Sequence, residues 1–229
     1  MPEFPPSNAA APSARFGAQP LAQTREAAAA LRRITGLLLS QEHPHAAVDE
    51  LLTTAPRWEQ ALSATAPPGN APRIGDAGEN RRIYLDHAFD IGRYNPCFPE
   101  YRFDRIEAEW SEGQVNFPLP FEGPPGLVHG GFLGVFFDCI VQHHNCSIGR
   151  AGKTRSLTVT YRRPTPLLTD LRFDIERSAE ERSIASTARR LLGDRVLCSA
   201  VVDAVAGAPT TLAGASYGER WPAPGEATE

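Results

Sequence analysis

The stretch best equipped for chemistry runs Gly126-Leu-Val-His-Gly-Gly-Phe-Leu-Gly-Val-Phe-Phe-Asp138. Gly130 and Gly131 follow His129 where a helix should begin. Glycine there lets a ligand approach the backbone closely. The first amides of a helix have no partner within the helix and carry partial positive charge. Such N–H groups suit an oxygen that gains negative charge, as in acyl transfer. Asp138 comes two turns later among Val135, Phe136, Phe137 and Ile140. A carboxylate in apolar company is costly unless it has a partner or a task. Taken alone it reads as a helix Asp that bonds to a backbone donor or faces a solvent gap. A carboxylate and polarising amides together can drive attack on a carbonyl, directly or through water. Gly130 and Asp138 are ~12 Å apart along one helix. One chain therefore cannot easily apply both to one carbonyl, whereas a symmetric dimer could pair Gly130 of one helix with Asp138 of the other.

The elements that position these residues follow from periodicity. Phe132, Val135, Phe136, Cys139, Ile140 and His143 recur at three and four, which predicts a buried helix over 129–148 stopped by Gly149. Before it, alternation predicts strands over 83–89 and 103–110, with Glu112-Gly113 turning into a strand at 114–117. After it come strand-like runs at 154–162, 171–178, 183–192 and 196–205, the last two joined by Gly193-Asp194. One buried helix among antiparallel strands means a curved sheet wrapped around it, an α+β fold. Residues 1–22 read as a disordered tail and 23–65 as an N-terminal helical extension. Within the extension, Thr24 caps one helix, a second runs from Pro44 to Thr54, and Pro56 starts a short third piece. Residues 66–79 are a linker, 80–206 the sheet-and-helix domain, and 207–229 a C-terminal tail.

Composition removes several classes. The 229 residues carry a net charge of −4, which argues against nucleic-acid binding. No run approaches the ~20 apolar residues of a membrane span. The N-terminus lacks a signal peptide's basic and apolar regions, so a cytoplasmic location is expected. Cys97, Cys139, Cys146 and Cys198 read as free, mostly buried thiols. Cys139, Cys146, His143 and His144 do not match zinc spacing, so neither a metal nor a cofactor is expected.

The order Val128-His-Gly-Gly, Asp138, then Leu157-Thr-Val-Thr-Tyr-Arg-Arg-Pro164 resembles the hotdog-fold acyl-CoA thioesterases of the phenylacetate-pathway (PaaI-like) and THEM type. The resemblance covers Gly126 to Ala206. It implies a hotdog fold, a homodimer or dimer of dimers, and hydrolysis of an acyl-CoA to free acid and CoA without a metal. By position, it implies Asp138 as nucleophile or general base and the Gly130 amide, with Gly131 beside it, as the group that polarises the thioester. It places His129 at the carbonyl, Thr154 where some relatives carry a hydroxyl that holds water, and Arg162 and Arg163 near the CoA cleft. Phe132 would line the acyl site. Six residues before the His, where some relatives have an Asn, stands Gly123. Two other readings stay open: a hotdog protein that binds an acyl-CoA or hydrophobic ligand without turnover, and a hydratase. The hydratase pattern Asp-x-Asn-x-x-His is not matched after Asp138.

Overall fold

The computed structural model describes residues 21–65, 90–148, 152–180 and 183–206. The strand expected at 83–89, the linker and both tails lie outside them, except residues 21 and 22 of the expected N-terminal tail, where Ala22 opens the first helix. Two helices, α1 (Ala22–Leu39) and α2 (Ala46–Thr65), precede the sheet. Strands β1 (Tyr101–Ile106) and β2 (Trp110–Val115) lead to α3 (Gly130–Ser147). Then follow β3 (Gly152–Tyr161), β4 (Leu171–Glu180), β5 (Ser183–Leu192) and β6 (Arg195–Ala206). All pairings are antiparallel, in the order β1-β2-β4-β5-β6-β3.

The core forms where α3 lies on the sheet. Phe136, Phe137, Ile140 and Val141 of α3 are fully buried against Phe117, Phe173, Ile175 and Val202. The aromatic rings meet edge to face, Phe136 on Phe117 at 5.4 Å and on Phe173 at 5.6 Å, the arrangement their quadrupoles favour. Gly193 takes φ +58° and turns β5 into β6, as its position between the two runs implied.

Three local expectations change. The first hairpin turns at 107–109, and Glu112 and Gly113 lie inside β2. Gly113 serves packing: a Cβ there would sit 2.2 Å from the Arg102 carbonyl oxygen and 2.4 Å from Cζ of Phe173. The second and third N-terminal pieces are one helix, with Pro56 inside α2. Proline in a helix interior costs one backbone bond and a local clash, which this helix absorbs. Finally, α1 begins at Ala22 with no side-chain cap, so Thr24 is within the first turn. The four thiols are free, but Cys97 is exposed and Cys139 half-buried.

Arg32 fastens α1 to the body. Its guanidinium donates to the carbonyls of Gly92, Asn95 (3.3 Å) and Phe98 (3.3 Å) and to the Glu100 carboxylate (3.2 Å). The loop it grips is closed from inside by Asp90, whose carboxylate accepts from Gly92 N–H (2.8 Å) and Tyr101 N–H (2.9 Å). Burial nevertheless outweighs those bonds and raises the Asp90 pKa to about 7. The folded chain therefore binds a proton more tightly than the unfolded one, so this group's contribution to stability falls as pH rises from about 4 to about 7. Urea midpoints should show that decline, and Asp90→Asn should flatten it; an unchanged slope in the variant would reject the assignment.

Arg190 of β5 is fully buried, and among the described residues no carboxylate pairs with it. Its guanidinium lies 5.4 Å over the Phe117 ring, Nε points at Cys198 Sγ (3.4 Å), and Nη2 donates to Thr165 Oγ1. Burial lowers its pKa. The backbone carbonyl of the same Thr165 accepts from Val128 N–H at 2.9 Å, so Arg190 braces the turn that enters α3.

Candidate active site

His129 caps α3. Its Nδ1 accepts from Gly131 N–H at 3.0 Å, and its own N–H donates to the Phe121 carbonyl at 2.9 Å. Neutral His129 then carries its ring proton on Nε2, on an exposed side chain. The Gly130 carbonyl accepts from the Tyr161 hydroxyl at 2.9 Å. The Gly130–Gly131 peptide is thus pinned at both ends, its oxygen by Tyr161 and its N–H by His129. One amide of the first turn remains available: among the described residues nothing accepts from Gly130 N–H. Gly131, the second amide of the pair, is consumed by the cap.

The two glycines beside this turn differ in how tightly they are packed. A Cβ at Gly130 would lie 3.2 Å from the Tyr161 hydroxyl oxygen, and one at Gly123 would lie 2.8 Å from Cα of His129. Gly123 therefore packs flat against His129, where a side-chain amide has no room. Phe132 is half-buried, with its ring 5.0 Å from Phe121 and 6.0 Å from His129, so it walls the same turn.

Two turns along α3, Asp138 is half-buried, and its Oδ1 accepts from the Thr154 hydroxyl at 2.7 Å. Thr154 Oγ1 in turn accepts from Gln142 Nε2 at 2.6 Å. The hydroxyl has one hydrogen, and it goes to Asp138; toward water Thr154 can only accept. Thr154 reaches the helix because β3 is irregular. It pairs with Ala204 while Ser156 pairs with Asp203, which leaves Arg155 as an extra residue. Such a bulge re-aims the side chain beside it. Neither Tyr161 nor Gln142 stood out in the sequence, although signals existed. Tyr161 shares the parity of Leu157 and Val159, both packed on the core, and Gln142 is four residues after Asp138 on the same helix face.

Arg162 and Arg163 stand away from this chain, exposed at the end of β3. With Arg189, Arg195 and Asp194 they line an open concavity of about 460 Å³ at the β5–β6 hairpin. Arg163 donates to the Val196 carbonyl at 3.0 Å, while Arg189 is held by Asp174 (2.8 Å) and Glu176 (2.5 Å). At the other end of α3, His144 Nε2 meets the Glu107 carbonyl at 2.6 Å, and His143 Nδ1 lies 3.2 Å from the Tyr101 hydroxyl. Burial lowers the His143 pKa to about 4. Among the described residues no group of His, Cys, Asp and Glu is arranged to hold a metal. No helix among them is long and apolar enough to cross a membrane.

The Tyr161 bond has a measurable consequence if Gly130 N–H is the working donor. Tyr161→Phe releases one end of the pinned peptide, and a hydrogen bond of this kind is worth about 0.5–1.5 kcal/mol. Turnover of a thioester substrate should drop by up to ~10-fold with KM little changed, as for loss of orientation rather than of binding. An equal rise in KM with unaltered turnover would place Tyr161 in substrate binding instead.

No protein-family model matches the chain, and no curated protein matches it in sequence. Solved structures do resemble it. Protein RHA08564, a thioesterase superfamily protein, superposes with a TM-score of 0.66 at 25% identity, over 80% of this chain and 90% of its own. A hypothetical thioesterase with coenzyme A from Streptococcus pneumoniae matches at 17% identity and TM-score 0.44, over 47% of this chain and 88% of its own. The smu.793 protein of Streptococcus mutans, bound to acetyl CoA, matches at 14% identity and TM-score 0.45, over 48% and 90%. The first of these spans more than the sheet-and-helix unit of this chain alone. With α3 packed against an antiparallel sheet, and with that likeness over most of both molecules, the chain carries the hotdog fold of the thioesterase superfamily.

Proposed function

We propose that the protein is an acyl-CoA thioesterase, working as a homodimer or a dimer of dimers. The observation that carries this reading is the pairing of two prepared groups on one helix. Among the described residues Gly130 N–H has no acceptor, with the next peptide pinned on both sides, and Asp138 is oriented by Thr154, itself held by Gln142. The thioesterase superfamily relative supports the reaction class.

In this reading Asp138 acts as general base or nucleophile. As a base, it takes a proton from water through the oxygen that Thr154 leaves free. The water oxygen bonds to the thioester carbonyl carbon, and the carbonyl oxygen becomes an oxyanion. Gly130 N–H of the other copy donates to that oxyanion, with His129 Nε2–H as a neighbouring donor. Collapse breaks the C–S bond, and the thiolate takes up the proton, giving free acid and CoA. As a nucleophile, Asp138 forms an acyl anhydride that water then opens, with the same balance. Two copies are needed because the two groups are about two turns apart on α3, ~12 Å. Among the described residues β3 ends the sheet, with Thr158 and Thr160 exposed, an edge suited to pairing with a second copy.

Phe132 borders the acyl path beside Gly131, and Arg162 and Arg163 meet the phosphates of CoA, for which arginine geometry is suited. Replacing both arginines with Gln should raise KM for acyl-CoA several-fold with turnover nearly constant, and should weaken the salt dependence of KM. The same KM as wild type at low salt would remove them from the site.

Thiol release from short, long and aromatic acyl-CoAs tests the whole reading. Hydrolysis of at least one class by the purified, folded protein is expected. No release from any, with acyl-CoA retained by the protein, would instead establish a binding protein that uses the same cleft without turnover.

A further inference from the structure

Both N-terminal helices present apolar stripes that the other described residues leave uncovered. On α2, Val48, Leu51, Ala55, Trp58 and Leu62 follow at spacings of three and four, yet the helix has no buried residue. Trp58 is 56% exposed and Leu62 71%. On α1, Leu31, Ile34 and Leu38 form a second stripe, with Leu31 50% exposed. The two helices make no extended contact with each other. Arg32 fixes α1 to the body through the opposite side of that helix, so its stripe is held facing outward.

A helix interrupted by a proline, with none of its residues buried by the other described residues, gains little from packing. It needs a cover. Leu31, Ile34, Leu38, Trp58 and Leu62 are all exposed along the two stripes. Large apolar side chains aligned in this way mark an interaction surface. Charge selects the cover. α1 exposes Arg25 and Arg33 against Glu26, Arg32 being taken up by Glu100, whereas α2 carries Asp49, Glu50 and Glu59 against Arg57. The helices are thus of opposite sign, and two copies of α2 would repel each other. Their lengths of 18 and 20 residues match.

We propose that two copies of this chain associate through these helices, with α2 of each lying along α1 of the other. The symmetry is two-fold, so one geometry covers both stripes twice. This contact does not depend on the chemistry proposed above, and its test does not read hydrolysis.

The full chain would be made with Trp58 replaced by p-benzoyl-phenylalanine, mixed with a heavy-isotope-labelled copy, irradiated and analysed by peptide mass. Cross-links from position 58 of one copy to residues 22–39 of the other are expected. Cross-links within one copy only, links to residues 207–229, or no link in folded protein would each overturn the proposal. In parallel, Leu38→Glu and Leu62→Glu, checked for native circular dichroism, should each weaken self-association at least 10-fold by light scattering. Unchanged association in both would also overturn it.

Discussion

Asp138→Asn should reduce thioester hydrolysis by about 10²–10⁴-fold, the range over which a positioned general base contributes. The change is nearly isosteric. Asn keeps an oxygen that accepts from the Thr154 hydroxyl, so the chain Gln142–Thr154–138 can survive and the protein should fold. What disappears is a group able to take a proton from water or to attack carbon. The fall should therefore lie in kcat, with KM for acyl-CoA close to wild type. Thr154→Val gives a second, milder variant. It removes the hydroxyl that orients the carboxylate but leaves the carboxylate itself, so its loss should be smaller than that of Asp138→Asn. Full activity in Asp138→Asn would sink the assignment, whatever the other variants do.

The largest effect on stability is expected at Phe136. Its ring is fully buried at the centre of the aromatic cluster, within 5.4 Å of Phe117 and Phe137, 5.6 Å of Phe173 and 6.1 Å of Tyr101. Truncation to Ala removes apolar contact and leaves a cavity that neighbouring rings cannot fill without leaving their own edge-to-face positions. Phe-to-Ala changes in such sites cost about 3–5 kcal/mol, a large share of the ~5–15 kcal/mol that holds a domain together. The urea midpoint should fall steeply with the slope of the transition retained. Phe136→Leu keeps most of the volume and should cost far less. A loss under about 1 kcal/mol in the Ala variant would mean that the cluster repacks.

Periodicity revealed the helix and the strands that follow it, because each has one apolar face and a long run. It misplaced the first hairpin, since glycine after a polar residue reads as a turn. Gly113 is instead a strand residue whose missing side chain makes room for Phe173. Pro56 similarly read as a helix start because its effect on a backbone bond is local, and the stripe continuing past it was the stronger signal. Of the candidate site, Asp138, Gly130 and His129 were legible from residue type and order. The contact between Thr154 and Asp138 was not derivable from alternation, because the bulge at Arg155 breaks parity between Thr154 and Leu157. Tyr161 was passed over since its role lies in where its hydroxyl ends, at the Gly130 carbonyl, and spacing does not carry that.

The place of β3 in the sheet bears on the order in which the molecule can assemble. β3 follows α3 directly, but among the described residues its one neighbour in the sheet is β6, the last strand described. During synthesis, β4 and β5 can pair with β2 and with each other while β3 still has no strand to bond. Joining β3 to β6 closes a loop of several dozen residues, a non-local step that slows folding. Thr154 and Tyr161 both ride on β3, so the carboxylate and the amide turn acquire their anchors only when the C-terminal strand arrives. The candidate active site is the part of this fold that sets last, and a chain ending before β6 would carry its chemistry on an unpaired strand.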